Sequence, residues 1–188
     1  MALSTLQSLH ALEKNYILES IISPEISGDV MQWVGTSLSI AGTPLLVGEG
    51  ELEEVIETPP LTVIPGTKPW VLGMAGHKGS LLPIFSGDAL FRREVYTGRP
   101  RDYCMVVRRP SYYFGLTLSG IERDLKFPIE QRIMDHPIDV DFSPFCLGGF
   151  EHLGRFLAIL DIEKLVGDSG FSNASATTRN SSEGNIDD

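Results

Sequence analysis

Apolar residues in this chain occur in short stretches that proline or glycine interrupts at close intervals. From Met31 onward the apolar positions tend to alternate with polar ones. MQWVGTSLSI, residues 31–40, has the period of two that a half-buried strand needs, with Trp33, Leu38 and Ile40 expected to face inward. A turn over residues 41–44 leads to a second strand beginning at Leu45–Val47. Leu52, Val55 and Ile56 then form an apolar edge beside Glu51, Glu53 and Glu54. Pro59-Pro60 and Pro65-Gly66 exclude any regular element and impose an extended crossing.

The same rhythm continues. Trp70 to Met74 reads as a strand, and His77-Lys78-Gly79-Ser80 as a hairpin-like turn into Leu81–Phe85. A helical turn or two is expected from Asp88 to Arg93. Residues 101–109 and 113–118 form a strand pair around Pro110-Ser111, and Gly120 permits a bend before 121–125. A hairpin is expected from 145–150 and 156–160. Asp161 is placed to cap a helix over 161–165.

The two ends differ from this middle. Leu3, Leu6, Leu9, Leu12 and Tyr16 recur at helical spacing, with Ser4 placed as a cap, which predicts a helical extension over 1–29, or a segment that orders only against a partner, ending in the linker Ser23–Asp29. The main domain is expected over 30–167. Residues 168–188 have almost nothing to bury, so a disordered tail is expected there. Many short strands with glycine and proline turns favour an all-β sandwich or small barrels. The crossover helices that a parallel sheet requires are not evident.

Composition narrows the function. The formal charge of the 188 residues is −10, a poor match for a phosphate backbone, so no nucleic-acid partner is expected. No apolar run reaches the length of a membrane span, so no direct membrane insertion is expected. The N-terminus lacks a basic n-region and carries His10, Glu13 and Lys14 early, unlike a secretory signal. The two cysteines, Cys104 and Cys146, sit among apolar neighbours and read as buried free thiols of a reducing, cytoplasmic compartment.

The polar residues form no catalytic set in the sequence. Of the four histidines, none has a second at metal-ligand spacing, so neither a metal nor a cofactor is expected. His77 reads as part of a solvated turn, and His136 as part of a polar loop near Asp135 and Asp139. Ser80 and Ser119 lack the strand–turn–helix elbow of a nucleophilic serine. Gly73, Gly76 and Gly79 are not a phosphate loop, because neither a lysine–serine pair nor a helix follows; they read as backbone requirements. Glu51, Glu53, Glu54 and Glu57 make a charged edge that reads first as a solvated face; the alternative is a pairing of Glu54 with Lys78 across adjacent elements. Arg108 and Arg109 are expected at a solvent-facing turn. Arg92, Arg93 and Arg99 suggest a local basic patch.

Taken in order, these segments resemble the CheW-like family of chemotaxis coupling proteins. The likeness runs from about Trp33 to Val166. It is carried by LEEV at 52–55, IPGTKPWVLGM at 64–74, AGHKG at 75–79 and SLLPIFSG at 80–87. Tyr113–Leu116, Ser119–Ile121, Gly148 and Phe156–Leu165 extend it through the family's later strands and C-terminal helix. The N-terminal extension, residues 67–70 and residues 79–83 are most similar to the subgroup that serves type IV pili and twitching motility.

The resemblance implies an all-β fold of two interlocked five-stranded SH3-like barrels with short helices and a hydrophobic groove between them. It implies no enzymatic activity. It implies an adaptor that couples a methyl-accepting chemoreceptor to a CheA-type histidine kinase, cytoplasmic and recruited to membrane-associated receptor arrays. A related wiring, binding a different pilus or membrane-associated regulator, is the alternative. Partner-binding positions are expected at Leu52, Glu54, Val55, Val71, Gly73, Lys78 and Leu82: the apolar ones for area, Glu54 and Lys78 for orientation. Glu54 corresponds to a family glutamate on the receptor-facing surface, and Gly73 to a surface glycine where a side chain would push the partner away. The chain departs from the family pattern at Gly76, at His77, at Lys78 in place of arginine, and at Ser86 in place of aspartate. Lys78 keeps the charge but lacks arginine's planar fork.

Overall fold

The structure, a computed structural model, describes residues 31–92 and 101–174. The helix expected over 1–29, Arg93, Arg99 and the tail beyond residue 174 lie outside the described residues.

Among the described residues, ten strands form two five-stranded sheets. The first sheet holds β1 (Gln32–Ile40), β2 (Thr43–Gly48), β8 (Gly120–Pro128), β9 (Cys146–His152) and β10 (Arg155–Leu160) in the order β8-β1-β2-β10-β9. The second holds β3 (Glu54–Glu57), β4 (Val71–His77), β5 (Ser80–Phe85), β6 (Tyr103–Arg109) and β7 (Tyr112–Leu118) in the order β3-β6-β7-β5-β4. The chain thus starts in one sheet, builds the whole of the other, and returns. The two sheets share one topology: β3 to β7 repeat the pairing pattern of β8, β9, β10, β1 and β2. Helix α1 (Gly87–Arg92) follows β5 where helix α2 (Ile162–Gly167) follows β10.

Each sheet contains one parallel pair, β5 with β7 and β10 with β2. Parallel pairing does not follow from the alternation pattern, since no long crossover helix marks it. The pairs arise because a hairpin stands beside another hairpin, with α1 turning the chain in one sheet and the two distant chain segments meeting in the other. The barrels are also not closed by a continuous ladder. Between the edge strands β3 and β4 the extended crossing makes a single bridge, Thr62 to Met74; Ile133 to Gly149 is its counterpart in the first sheet.

The hairpins follow from local backbone chemistry. Lys78-Gly79 at the β4–β5 turn have φ of +48° and +76°, and Leu153-Gly154 at the β9–β10 turn have +51° and +74°. Two successive left-handed residues make the tight turn whose twist matches its flanking strands. Ala41-Gly42 do the same between β1 and β2, so Pro44 belongs to β2 and not to the turn.

Central strands are buried on both faces. On β2, Leu45 and Val47 join the core between the sheets, while Leu46 joins the first barrel's interior with Phe127, Phe150, Leu157 and Ile159. On β6, Met105 and Val107 join the inter-sheet core, while Cys104 and Val106 join the second barrel's interior with Ala75, Leu82 and Ile84. A strand wedged in this way needs a continuous apolar run, which is what LLV and CMVV supply.

Order continues beyond residue 167. Asp168 caps a one-turn helix, α3 (Ser169–Ser172), by accepting from the amides of Gly170 and Phe171. Phe171 is buried in the inter-sheet core. The expected boundary at 167 therefore moves outward for residues 168–174, because one aromatic side chain finds a pocket that composition does not reveal.

Candidate functional site

The charged edge lies where β3 enters the second sheet beside the β4–β5 turn. Register places it: Glu54 stands opposite Val106 on β6, and Arg108 stands opposite Tyr113 on β7. The turn then carries His77 and Lys78 across the open side of the barrel to the β3 edge.

Lys78 Nζ lies 2.5 Å from Glu54 Oε1 and 3.0 Å from Glu53 Oε1. Of the two readings of this edge, the pairing of Glu54 with Lys78 is the one present, and Lys78 holds a second carboxylate as well. Three ammonium donors on a flexible stem allow this bridging, whereas a guanidinium fork favours one bidentate partner. The other oxygen of Glu53 accepts from Arg108 Nε at 2.8 Å. Arg108 also lies over the Tyr113 ring, its guanidinium carbon 3.9 Å from the centroid. Arg109 and Glu51, 3.3 Å apart, extend the row.

His77 was expected in solvent. Its side chain is only 12% exposed, with Nε2 3.1 Å from Glu54 Oε1 and Nδ1 hydrogen-bonded to the Tyr113 hydroxyl. Glu54 is thus the acceptor for two residues of one turn. Arg108 was likewise expected at a plain solvent-facing turn, yet it holds Glu53. The sequence did contain a signal for this group. The turn at Pro110-Ser111 pairs residues 109 and 112, so 108 and 113 must be cross-strand neighbours.

The electrostatics follow from these contacts. Hydrogen bonds from Lys78 and then Arg108 hold the Glu53 carboxyl below its usual range. Acceptance by Glu54 and Glu53 pushes the Lys78 ammonium above its usual range. Glu53 does the same for Arg108. The cluster holds charges in a fixed pattern on an edge open to solvent. Solvent screens such exposed pairs and they add little to stability, so the value of the pattern lies in orientation.

The apolar positions divide. Leu52 and Val55 are half-buried against the inter-sheet core, and Val71 is half-buried at the start of β4. Leu82 is 0% exposed inside the second barrel and offers no area to a partner, whereas its neighbour Leu81 is 70% exposed. Alternation along β5 sends 81 outward and 82 inward. Gly73 is buried too. A Cβ there would stand 2.5 Å from the Thr62 carbonyl oxygen, with φ at +150°. The chain's own crossing segment requires glycine at this position.

Other expectations resolve into packing. Cys104 and Cys146 are buried thiols pushed up to about 11 by burial. The His136 ring stacks on Phe156 at 3.8 Å. Arg92 does not form a free basic patch, because it pairs with Asp139 at 2.8 Å and Asp141 at 3.3 Å. Ser86, a departure from the family aspartate, is buried and accepts from the Ala89 amide at 3.1 Å. Serine and aspartate are both good helix caps, so the exchange preserves the start of α1.

The CheW-like domain profile matches residues 37–169 of this chain. The chain belongs to the CheW-like domain family. Its family members are non-catalytic coupling adaptors, and an adaptor role follows for this chain. Among curated proteins it is similar to Protein PilI of Pseudomonas aeruginosa, 29% identical over 122 residues that cover 64% of this chain and 68% of PilI. Among solved structures it is similar to the scaffolding protein TtCheW of Thermoanaerobacter tengcongensis, with a TM-score of 0.63 at 15% identity, covering 74% of this chain and 96% of TtCheW. That likeness shows the fold: two SH3-like sheets of the CheW type.

Proposed function

We propose that this protein couples a methyl-accepting chemoreceptor to a CheA-type histidine kinase in a chemotaxis-like pathway controlling type IV pili and twitching motility. The similarity to PilI supports the pilus setting. The bridged cluster of Glu53, Glu54, His77, Lys78 and Arg108 carries the reading, because a rigid pattern of alternating charges discriminates between partners without transforming either. The protein acts in the cytoplasm, recruited to receptor arrays. Glu54 and Lys78 orient the partner, while Leu52, Val55 and Val71 supply part of the apolar area around them.

An adaptor of this kind works by differential binding. It holds receptor and kinase in one geometry, so a change in the receptor alters the kinase's equilibrium by as much as the adaptor's contacts differ between the two states. The test is titration calorimetry of the purified chain against the kinase regulatory domain and against the receptor's cytoplasmic tip. Saturable binding to both is expected, weakened by Lys78→Glu. Binding to neither would overturn the coupling role and favour a CheW-like scaffold for another pilus or membrane-associated regulator.

A further inference from the structure

The last described segment ties the two sheets together through one side chain. It leaves α2, which follows β10 of the first sheet, and delivers Phe171 to rings of the second. The Phe171 ring is stacked with Trp70 at 5.8 Å and 6°, and meets Phe85 at 5.3 Å and Phe114 at 5.3 Å in steeply tilted contacts. Trp70 precedes β4, Phe85 ends β5 and Phe114 lies in β7, so the three rings come from the second sheet and the residue that leads into it. Phe171 is 8% exposed there.

Little else holds the segment. The Lys68 amide donates to the Ala174 carbonyl at 2.8 Å, and Lys68 Nζ reaches the Gly170 carbonyl at 3.5 Å. Its remaining hydrogen bonds are local. Asp168 accepts from Gly170 and Phe171, and Ser172 Oγ donates to the Val166 carbonyl at 2.8 Å. A segment held by one buried ring, one long-range main-chain bond and one long lysine contact opens at far lower cost than a strand buried on both faces. It carries its own cap and its own turn, so it can detach and redock as a unit.

We propose that Asp168–Ala174 is a detachable strap, an intramolecular ligand of the Trp70–Phe85–Phe114 pocket that clasps the two sheets when closed. The structure shows the closed state. Opening frees the pocket and releases a tie between the sheets, while the barrels keep their own interiors. The strap is a two-state element built into an adaptor fold, and its existence does not depend on which proteins the adaptor couples.

Native-state hydrogen exchange on the full chain tests it first. The amides of Lys68 and Ser172 are expected to exchange at least about a hundredfold faster than those of Leu45 and Val106, and faster still in Asp168→Ala. Equal protection would overturn the strap. The second test adds the peptide VGDSGFSNA, residues 166–174, to full-length Phe171→Ala. Saturable binding by calorimetry is expected, at least about tenfold weaker to the unsubstituted chain, whose own strap competes, and absent for the peptide with alanine in place of phenylalanine. Global unfolding of Phe171→Ala would overturn the proposal, because Phe171 would then be integral core. A folded variant that ignores the peptide would overturn it as well.

Discussion

His77 Nε2 lies 3.1 Å from Glu54 Oε1, and this contact joins the turn of one edge strand to the edge of another. No ladder hydrogen bonds connect β3 and β4. The seam between them is held by side chains and by one bridge, Thr62 to Met74. A barrel edge is a surface prone to unwanted pairing, and charged residues are one way to manage it. Here the same charges form the candidate recognition pattern.

Lys78→Glu places a third carboxylate against Glu53 and Glu54. The fold should persist with little change in stability, because the ammonium is half-exposed and pairs of that kind contribute little. Partner association should weaken by about tenfold or more, since mispaired charges at an interface cost more than exposed ones. Circular dichroism checks the fold and calorimetry the binding.

Gly73→Ala should destabilise the protein by about 2 kcal/mol or more, since the new Cβ meets the Thr62 carbonyl at 2.5 Å in a left-handed conformation. Gly76→Ala is the control. A Cβ there meets nothing within 4 Å, so its urea midpoint should stay within about 0.5 kcal/mol of the starting protein.

Leu82→Ala opens a cavity in the second barrel and should cost about 2–5 kcal/mol. Leu81→Ala, one position away and exposed, should leave stability nearly unchanged. Equal losses from the two in chemical denaturation would mean that the register of β5 is wrong.

The pH dependence has two windows of opposite sign. The Glu53 carboxyl is depressed in the native protein, so its contribution is complete above the ordinary value of 4.5 and is lost as pH falls through the lower native value. The Lys78 ammonium is raised, so its contribution is complete below 10.5 and is lost as pH rises through the higher native value. Glu53→Gln should lower the thermal midpoint most near neutral pH, and the difference from the starting protein should shrink in acid.

Both cysteines should resist alkylation in the native state. With thiols pushed up to about 11, well under about 1% is thiolate at pH 8, and both side chains are buried. Mass spectrometry after iodoacetamide should find Cys104 and Cys146 unmodified until denaturant is added. Rapid labelling of either in native buffer would contradict its place in the core.

Local chemistry determined much of this protein from sequence alone. Alternation and turn residues located nearly every strand, Asp161 capped α2 as read, and the pairing of Glu54 with Lys78 was legible from their places beside a charged edge and a turn. The ordered series of glycine, proline and apolar segments was enough to point to the CheW-like family. Tertiary structure decided the rest. Whether Leu82 or Leu81 faces solvent depends on which side of β5 the barrel closes. Whether His77 is a loop residue or a member of the charged cluster depends on Tyr113 and Glu54, which lie 36 and 23 positions away in the chain. The burial of Phe171 depends on three rings that distant segments bring together, Trp70, Phe85 and Phe114. Periodicity reports which residues can share a face, but only the assembled sheets select which face meets what.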